Sequence, residues 1–480
     1  MEALYAVRPR GGRKVPVYDF PVKQGVVAAA GVAILLAGAV FAGTAVRQER
    51  DFRRLIAAGD AALVRDQTFE AIEDFSGALA LKSDSMLAHL KRGDSYRRRG
   101  ELSAALRDLR EASSLDPTAT RPLELLGDVN VAMGRYVRAA DGYRRYATLD
   151  DRAPRILYKL AFAYYRNGQG ALAIEPLRRA VMLDDRLVEA HYLLGLCLRD
   201  RKRDAEAVQS LTRALEINPA FGAAREELAD LDFAQGRTRE GIEQLEALAA
   251  LEPARPQRLV NVGLAYARAG RTEAAITTLG RAAERYPEAD AVYIALGRIW
   301  LGAAESRNDR VALSKALQAL EPVASRATAS SDALTLYGRA LFLWGQVDAS
   351  ERTLEQATSM LPAEPIAFFY LSGAAERRGH VSAARDALVK YVSLIDEDQK
   401  RLLSGHVAAL SLRMNDPAAA IVWARRALDQ AHPEPQLLEI LADAQFRLGQ
   451  VDASRASVAE GLARDPKNRE LLQLRRKIGT

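Results

Sequence analysis

The sequence contains little cysteine and few aromatic residues. A single cysteine, Cys197, among 480 residues excludes an intrachain disulfide and a zinc site built from several thiolates. Aromatic residues make up 6% of the chain, which argues against large β-domains with aromatic cores and suits helices packed through Ala and Leu. One cysteine is compatible with a reducing cytosol and with a periplasm, so it leaves the compartment open.

The excess of basic over acidic side chains is also small. The chain has 68 basic and 62 acidic side chains, and the two signs alternate almost everywhere after residue 50. Nucleic-acid-binding proteins usually concentrate positive charge in a patch or stripe. The interleaved charges therefore predict solvated helix faces, and nucleic acid is not an expected partner.

Motifs for catalysis are missing as well. There is no His-Glu-x-x-His pair, no phosphate-binding loop that ends in Gly-Lys-Ser/Thr, and no Gly-x-Ser-x-Gly elbow. Gly168, Gly170 and Ala173 fit a relaxed dinucleotide-binding spacing, but they follow a predicted helix and not a strand. No two of the five histidines have the spacing of metal ligands on one helix: His89, His191, His380, His406 and His432. We therefore expect a protein that is not an enzyme and has no cofactor or metal.

Residues 25–46 form a long apolar run. It contains no charged residue, and Thr44 is its only polar one. As a helix its 22 residues extend about 33 Å, enough to cross the hydrocarbon core of a bilayer. A buried core helix would normally show polar positions on one face. A cleaved signal peptide is the second alternative, since the small residues near Gly43–Val46 admit a peptidase. The run predicts an uncleaved transmembrane helix.

The orientation of this helix is close to a tie. Its N-terminal flank, part of a basic tail over residues 1–24, and its C-terminal flank carry similar numbers of Arg and Lys. A short basic tail before a first span usually stays in the cytoplasm. The sequence thus favours a single-pass protein of a bacterial inner membrane, with a cytoplasmic N-terminus and the remaining chain in the periplasm. The high ratio of Arg to Lys is consistent with a bacterial source rich in GC.

The rest of the chain repeats one pattern every 34 residues. One copy reads Gly93, Tyr96, Gly100, Ala105, Leu109, Ala112 and Pro117, and a later copy reads Gly263, Tyr266, Gly270, Ala275, Leu279, Ala282 and Pro287. The pattern resembles that of the tetratricopeptide repeat (TPR) family. The resemblance implies an all-α solenoid, a right-handed superhelix of helix–turn–helix repeats.

The register predicts the domain organisation. About twelve units of 34 residues occupy residues 52–468, with seven residues inserted near 303–310. Residues 47–51 form a short linker after the transmembrane helix, and residues 469–480 a C-terminal capping helix. Because one repeat alone leaves an apolar face uncovered, such a cap is required at the end of an array.

Each recurring position within a repeat has a physical role. The small residue of the first helix, such as Gly195 or Gly263, lets the two helices of a unit approach closely. A glycine such as Gly168 ends the first helix, where the chain often needs a positive φ, and Lys202 replaces it in one copy. A proline such as Pro117 stops the second helix.

The resemblance also implies a binding surface, because first helices line the concave side in this family. The inward-facing positions of units four to six place five aromatic residues there: Tyr158, Phe162, Tyr165, Tyr192 and Phe233. Six arginines flank them: Arg97, Arg98, Arg121, Arg155, Arg166 and Arg199. Aromatic residues and Arg are the usual anchors of protein interfaces. We expect this groove to bind an extended or helical partner segment with apolar and acidic residues.

An alternative for the aromatic residues is that some of the rings pack against the neighbouring repeat. Arg97 and Arg98 match the family's carboxylate clamp only loosely, since the accompanying Lys and Asn pattern is absent. Capture of a terminal carboxylate is therefore not expected.

These observations favour a membrane-anchored, non-catalytic scaffold for other proteins. Two alternatives stay open: a periplasmic or secreted binding module released by cleavage, and a regulatory or substrate-presenting subunit of an enzyme complex. The partners are proteins or peptide segments, together with the membrane through residues 25–46. No residue pattern supports a homo-oligomer, and none opposes one.

Overall fold

In the computed structural model, residues 24–428 and 434–479 are described, and they form twenty-five α-helices and no strand. The basic tail expected at 1–24 lies outside these residues except for Gln24, and so does His432. The chain divides into two compact units, one ending at Pro219 and the other beginning at Ala220.

The first unit contains ten helices. They are α1 (Gln24–Val64), α2 (Thr68–Leu81), α3 (Met86–Arg98), α4 (Leu102–Leu115), α5 (Thr120–Ala132), α6 (Tyr136–Leu149), α7 (Pro154–Arg166), α8 (Gly170–Leu183), α9 (Val188–Asp200) and α10 (Asp204–Ile217).

The second unit contains fifteen helices. They are α11 (Gly222–Ala234), α12 (Thr238–Leu251), α13 (Pro256–Arg268), α14 (Thr272–Arg285), α15 (Asp290–Arg307), α16 (Arg310–Ala324), α17 (Ser331–Trp344), α18 (Val347–Ser359), α19 (Pro365–Arg377), α20 (Val381–Leu394), α21 (Glu397–Arg413), α22 (Pro417–Leu428), α23 (Pro435–Arg447), α24 (Val451–Arg464) and α25 (Arg469–Ile478).

The helices pair in chain order, and each odd-numbered first helix packs on the second helix that follows it. The interface between partners is made of small and branched apolar residues. Ala173, Leu177 and Ala180 of α8 and Ala161 of α7 are fully buried, for example. These repeated pairs confirm the predicted all-α solenoid.

Close approach of the paired helices depends on the small residue of the first helix. A Cβ atom added to Gly195 would lie 2.7 Å from Cγ of Leu211, and one added to Gly263 would lie 2.6 Å from Cγ of Leu279. Real Cβ contacts are essentially never that short, so the leucine occupies the space that the missing side chain leaves. The role expected for these glycines is confirmed.

The turns inside the pairs contain a residue in the left-handed conformation. All eight glycines expected there have a positive φ: Gly100, Gly134, Gly168, Gly236, Gly270, Gly345, Gly379 and Gly449. Lys202, which replaces the glycine between α9 and α10, has a φ of 57°. The fold therefore imposes the glycine conformation on a residue that carries a Cβ atom.

Replacing Lys202 with Gly is expected to stabilise the α9–α10 pair by about 1 kcal/mol, because the left-handed conformation costs a residue with a Cβ atom roughly that much. Hydrogen exchange of α9 and α10 amides measures the change locally. Gly168→Ala in the turn between α7 and α8 is the matched control. It has space for the methyl group but a φ of 74°, so it should destabilise its pair.

The helix α1 is continuous over 41 residues, so the residues expected to form a linker, 47–51, are helical. They also contact the first repeat, since Glu49 pairs with Lys82 and the Gln48 amide donates to the Leu81 carbonyl. Within the described residues, 31–64 of α1 include the one stretch long and apolar enough to cross a bilayer, and none of that stretch is buried. The apolar run thus continues into the first helix pair without a break.

The inserted residues near 303–310 lengthen helices. The helix α15 has 18 residues where most first helices have 13, and α16 has 15 where most second helices have 14. Asn308 and Asp309 join them, with Asn308 in the left-handed conformation and the Asp309 carboxylate accepting from the amides of Val311 and Ala312. At the end of the chain, Leu471, Leu474 and Ile478 of α25 are buried against α23 and α24.

Candidate functional site

A hollow of about 280 Å³ opens between the first helices α5 and α7. We call it the aromatic hollow, and it is lined by Asp128, Val131, Tyr143, Tyr158, Lys159 and Phe162. Tyr158 and Phe162, one turn apart on α7, place their ring centroids 6.3 Å apart in a tilted arrangement. Both rings are partly exposed, so they form a wall that a partner can reach.

The base of the aromatic hollow is a network of polar side chains that are hydrogen-bonded to one another. Nζ of Lys159 lies 2.8 Å from Oε1 of Glu124 and 2.9 Å from Oδ1 of Asp128. The hydroxyl of Tyr143 donates to the same Asp128 oxygen at 2.7 Å. Burial, reinforced by Asp128, raises the pKa of Tyr143, so the hydroxyl remains a neutral donor. Arg121 also pairs with Glu124, so two cations balance the two carboxylates and the hollow favours an apolar side chain.

Two arginines expected beside the groove lie on the same helix as the aromatic wall. The guanidinium of Arg166 lies 5.1 Å from the ring centroid of Tyr136 and 5.7 Å from that of Phe162. Arg155, at the start of α7, is exposed and has no ion-pair partner among the described residues. The helix that carries the aromatic wall thus also carries two cationic side chains.

Tyr165 and Arg199 lie further along the same face. The Tyr165 ring lies beside Gly170 at the start of α8, and burial followed by the Asp200 charge raises its pKa. Arg199 pairs with Asp200 at 3.2 Å, and Tyr192 is half-buried on α9. The structure therefore groups Tyr158, Phe162 and Arg166 directly, whereas Tyr165 has other neighbours.

Arg97, Arg98 and Arg121 have partners on their own helices. Asp94 accepts from both Arg97, at 2.7 Å, and Arg98, at 3.2 Å, while Arg121 pairs with Glu124 at 2.6 Å. Arg97 and Arg98 are therefore both paired with Asp94. This arrangement reduces the positive charge that they offer to a ligand.

Phe233 belongs to the second unit and is described within it. Its ring packs over Gly241 of α12, where an added Cβ would lie 2.8 Å from the ring. The ring also lines a hollow with Leu245 and Leu264. Much of the Phe233 ring therefore packs against neighbouring helices, which is the alternative to a role in binding.

An aromatic cluster on α17, α19 and α20 was not among the sequence-predicted residues. Phe369 contacts Tyr370 and Tyr391 with ring centroids 5.5 and 5.3 Å apart, and Phe342 contacts Tyr370 at 5.6 Å. The guanidinium of Arg377 lies 3.9 Å from the Phe342 centroid. Phe342 and Phe369 occupy inward-facing positions of their 34-residue repeats. The same search that found the aromatic residues of repeats four to six could therefore have found them.

The residues examined for chemistry have structural partners. His89 and His191 each contact a carbonyl of the preceding loop through Nε2, at 3.0 Å from Ser83 and from Asp185. Burial lowers the pKa of His191 and raises that of the Cys197 thiol to about 12. In the part of the chain that the structure describes, no three His, Cys, Asp or Glu residues are grouped to hold a metal ion.

Comparison with family models matches the tetratricopeptide repeat over residues 158–220, 226–290, 263–309 and 344–398. The chain belongs to the tetratricopeptide repeat family. A second model, the bacterial transcriptional activator domain, matches residues 50–188 of this TPR protein. No curated protein sequence matches the chain.

Solved structures similar to this TPR protein include the C-terminal part of a TPR protein from Cytophaga hutchinsonii. It is 18% identical, with 51% of this chain and 99% of that chain covered and a TM-score of 0.45. A TPR protein from Parabacteroides merdae is 13% identical over 68% of this chain and 99% of its own, with a TM-score of 0.36. Pseudomonas aeruginosa PilF is 20% identical over 43% and 94%, with a TM-score of 0.35.

The family generally provides surfaces for protein–protein interaction and is not catalytic. This TPR protein is therefore interpreted as an interaction protein, and the remaining question is what it binds and where.

Proposed function

We propose that this chain is a membrane-anchored, non-catalytic scaffold that holds a segment of a partner protein in the aromatic hollow. The observation that carries the proposal is the hollow itself. It combines a partly exposed aromatic wall of Tyr158 and Phe162 with an internally neutralised base and the cations Arg155 and Arg166 on the same helix. Such a site suits an apolar side chain flanked by acidic residues.

The anchor is assigned to the apolar part of α1, around residues 25–46. Described side chains there, such as Leu36 and Phe41, are exposed, and the described apolar stretch is not buried against other helices. Exposed apolar surface of this extent is stable in a bilayer and unfavourable in water. Because the helix runs on to Val64, the first helix pair would begin at the membrane surface.

We place the protein in a bacterial inner membrane, with the N-terminus in the cytoplasm and the repeats in the periplasm. A cleaved periplasmic or secreted module would use the same groove, and the mass of the mature N-terminus distinguishes it from the anchored form. A regulatory or substrate-presenting subunit of an enzyme complex differs from a passive scaffold in its partner. Crosslinking in native membranes followed by mass spectrometry identifies that partner.

Replacing Tyr158, Phe162 and Tyr165 with Ala is expected to reduce partner recovery from native membranes at least tenfold. The reason is that a few aromatic anchors provide most of the binding free energy of an interface. A pull-down with the full-length protein measures recovery, and circular dichroism checks that the helix content is retained.

The matched control replaces Val137, Leu172 and Met182 with Ala. These apolar residues are exposed on the second helices α6 and α8 of the same unit. The control should leave recovery unchanged. Equal recovery with both triple variants would show that the aromatic hollow is not the binding site.

A further inference from the structure

A second groove lies in the other unit, along the first helices α11, α13 and α15. Hollows of about 430 and 530 Å³ meet there, and both are lined by Leu264 and Arg268 of α13. Because they share these two lining residues, we treat the two hollows as one groove, which we call the charged trough. It lies on another unit than the aromatic hollow and does not depend on the function proposed for that hollow.

The floor of the charged trough is apolar. Phe233 and Leu245 line the part beside α11, Leu264 lies in the middle, and Ile299 and Ala303 line the part beside α15. All five are partly or fully buried, and the polar side chains lie around them. The trough can therefore remove apolar side chains of a ligand from water while charges act at its borders.

Charge is distributed unevenly along the trough. Glu226 and Asp230 line the α11 end, whereas Arg298 and Arg307 line the α15 end and Arg268 lies between them. Two of these charged groups already form ion pairs. Glu226 pairs with Arg258 at 2.9 Å, and Arg298 pairs with Asp332 at 2.6 Å.

The remaining charges are available to a ligand. Among the described residues, Asp230, Arg268 and Arg307 have no ion-pair partner within 4.0 Å, and all three are exposed. One anionic group thus faces one end of the apolar floor, and two cationic groups face its middle and its other end. Electrostatic complementarity to this arrangement requires a ligand with charges of both signs in a fixed order.

This order selects the class of ligand. A nucleic-acid backbone carries the same charge at each phosphate and would meet repulsion from Asp230 and Glu226. A lipid surface cannot follow a groove between helices. A protein segment can carry a basic residue, apolar residues and acidic residues in sequence, as the trough demands.

We propose that the charged trough binds a protein segment with a basic residue at one end, apolar residues in the centre and acidic residues at the other end. The basic residue lies against Asp230, the apolar side chains cover Leu264, and the acidic residues bind Arg268 and Arg307. With neighbouring helix axes about 10 Å apart, three first helices span about 20 Å, or about six residues of extended chain.

Fluorescence anisotropy with two labelled heptapeptides tests the proposal on the full-length protein. Both peptides share a Leu-containing centre. The dipolar peptide has Lys at one end and two Glu at the other, and the uniform peptide has Glu at both ends. The dipolar peptide should bind at least tenfold more tightly than the uniform one.

Charge reversals give the sharper result. Arg268→Glu with Arg307→Glu should weaken the dipolar peptide at least tenfold. Asp230→Lys should weaken the dipolar peptide and strengthen the uniform one, a change of sign that loss of folding cannot produce. The control, Arg281→Glu with Arg352→Glu, alters two exposed arginines on the second helices α14 and α18 and should change neither affinity.

The proposal is overturned if the dipolar peptide binds no more tightly than the uniform one, or if the control weakens binding as much as the trough variants do. Tighter binding of a single-stranded oligonucleotide than of either peptide also overturns it. The variant with Ala at 158, 162 and 165 should bind the dipolar peptide normally. Failure at the aromatic hollow and failure at the charged trough are thus distinguishable.

Discussion

Replacing Gly263 with Leu is expected to lower the local free energy of unfolding of the α13–α14 pair by about 3 kcal/mol. An added Cβ would already lie 2.6 Å from Cγ of Leu279, which is fully buried, so the rest of a leucine side chain has no space. Overpacking of a close-packed core costs about this much. Hydrogen exchange of α13 and α14 amides measures the effect, because repeat arrays open locally.

The control for this substitution is Gly280→Ala in the same pair. Gly280 lies within α14, and a Cβ there meets nothing within 4 Å. Ala should therefore stabilise the helix by about 1 kcal/mol, the difference between the helix propensities of the two residues. Equal effects of the two substitutions would mean that close approach at Gly263 is not what holds the pair together.

A double substitution isolates the steric cause. Leu279→Ala alone should cost about 2–5 kcal/mol, as is usual for a buried leucine. Combined with Gly263→Leu, it frees the space that the new side chain needs. The double variant should consequently lose much less stability than the two single losses predict when added.

Replacing Leu36 and Val40 with Arg is expected to release the protein from membranes. Both residues are exposed in the apolar part of α1, and each Arg at the centre of a span disfavours insertion by about 3 kcal/mol. Together they exceed what the remaining apolar residues can offset. Extraction of membranes with alkaline carbonate, followed by immunoblotting of pellet and supernatant, measures the distribution.

Arginine substitutions at Val137 and Leu172 provide the matched control, because both residues are exposed in the first unit but lie outside the apolar run. This variant should remain in the pellet with the unaltered protein. Recovery of the unaltered protein in the supernatant would contradict the anchor and favour the cleaved module.

The fold was largely predictable because each repeat has the same residue types at the same positions. Gly195 and Gly263 mark close helix contacts, and the turn glycines mark positive φ, so the period alone located helix pairs that the structure confirms. The two compact units were not predicted from the same register. The continuity of α1 was also missed, since Arg47–Asp51 change the polarity of the chain without ending the helix.

The candidate site was predictable only in part. The shared helix of Tyr158 and Phe162 follows from a spacing of four residues, and the structure places their rings together. Their polar base could not be predicted, because Lys159 reaches carboxylates on another helix, 31 and 35 residues away. Tyr391 was missed for a similar reason, since it lies on a second helix and contacts Phe369 only in the folded chain.

Charge pairing explains why arginine positions alone were a weak guide. Arg97 and Arg98 share Asp94 of their own helix, whereas Arg268 and Arg307 have no such partner among the described residues. A scan of inward-facing positions treats Arg97, Arg98 and Arg268 alike, and it does not reach Arg307 in the lengthened helix α15. Only the contacts within the structure separate cations that stabilise the repeat from those that a ligand can use.

Site-specific photo-crosslinking in native membranes tests the central claim most directly. A photoreactive phenylalanine analogue is placed at position 162 in the aromatic hollow or, as the control, at Leu172 on the second helix α8. Position 162 should crosslink to a discrete partner protein in the membrane fraction, and position 172 should not. Crosslinking of the same partner at position 172 but not at position 162 would contradict the proposed binding surface.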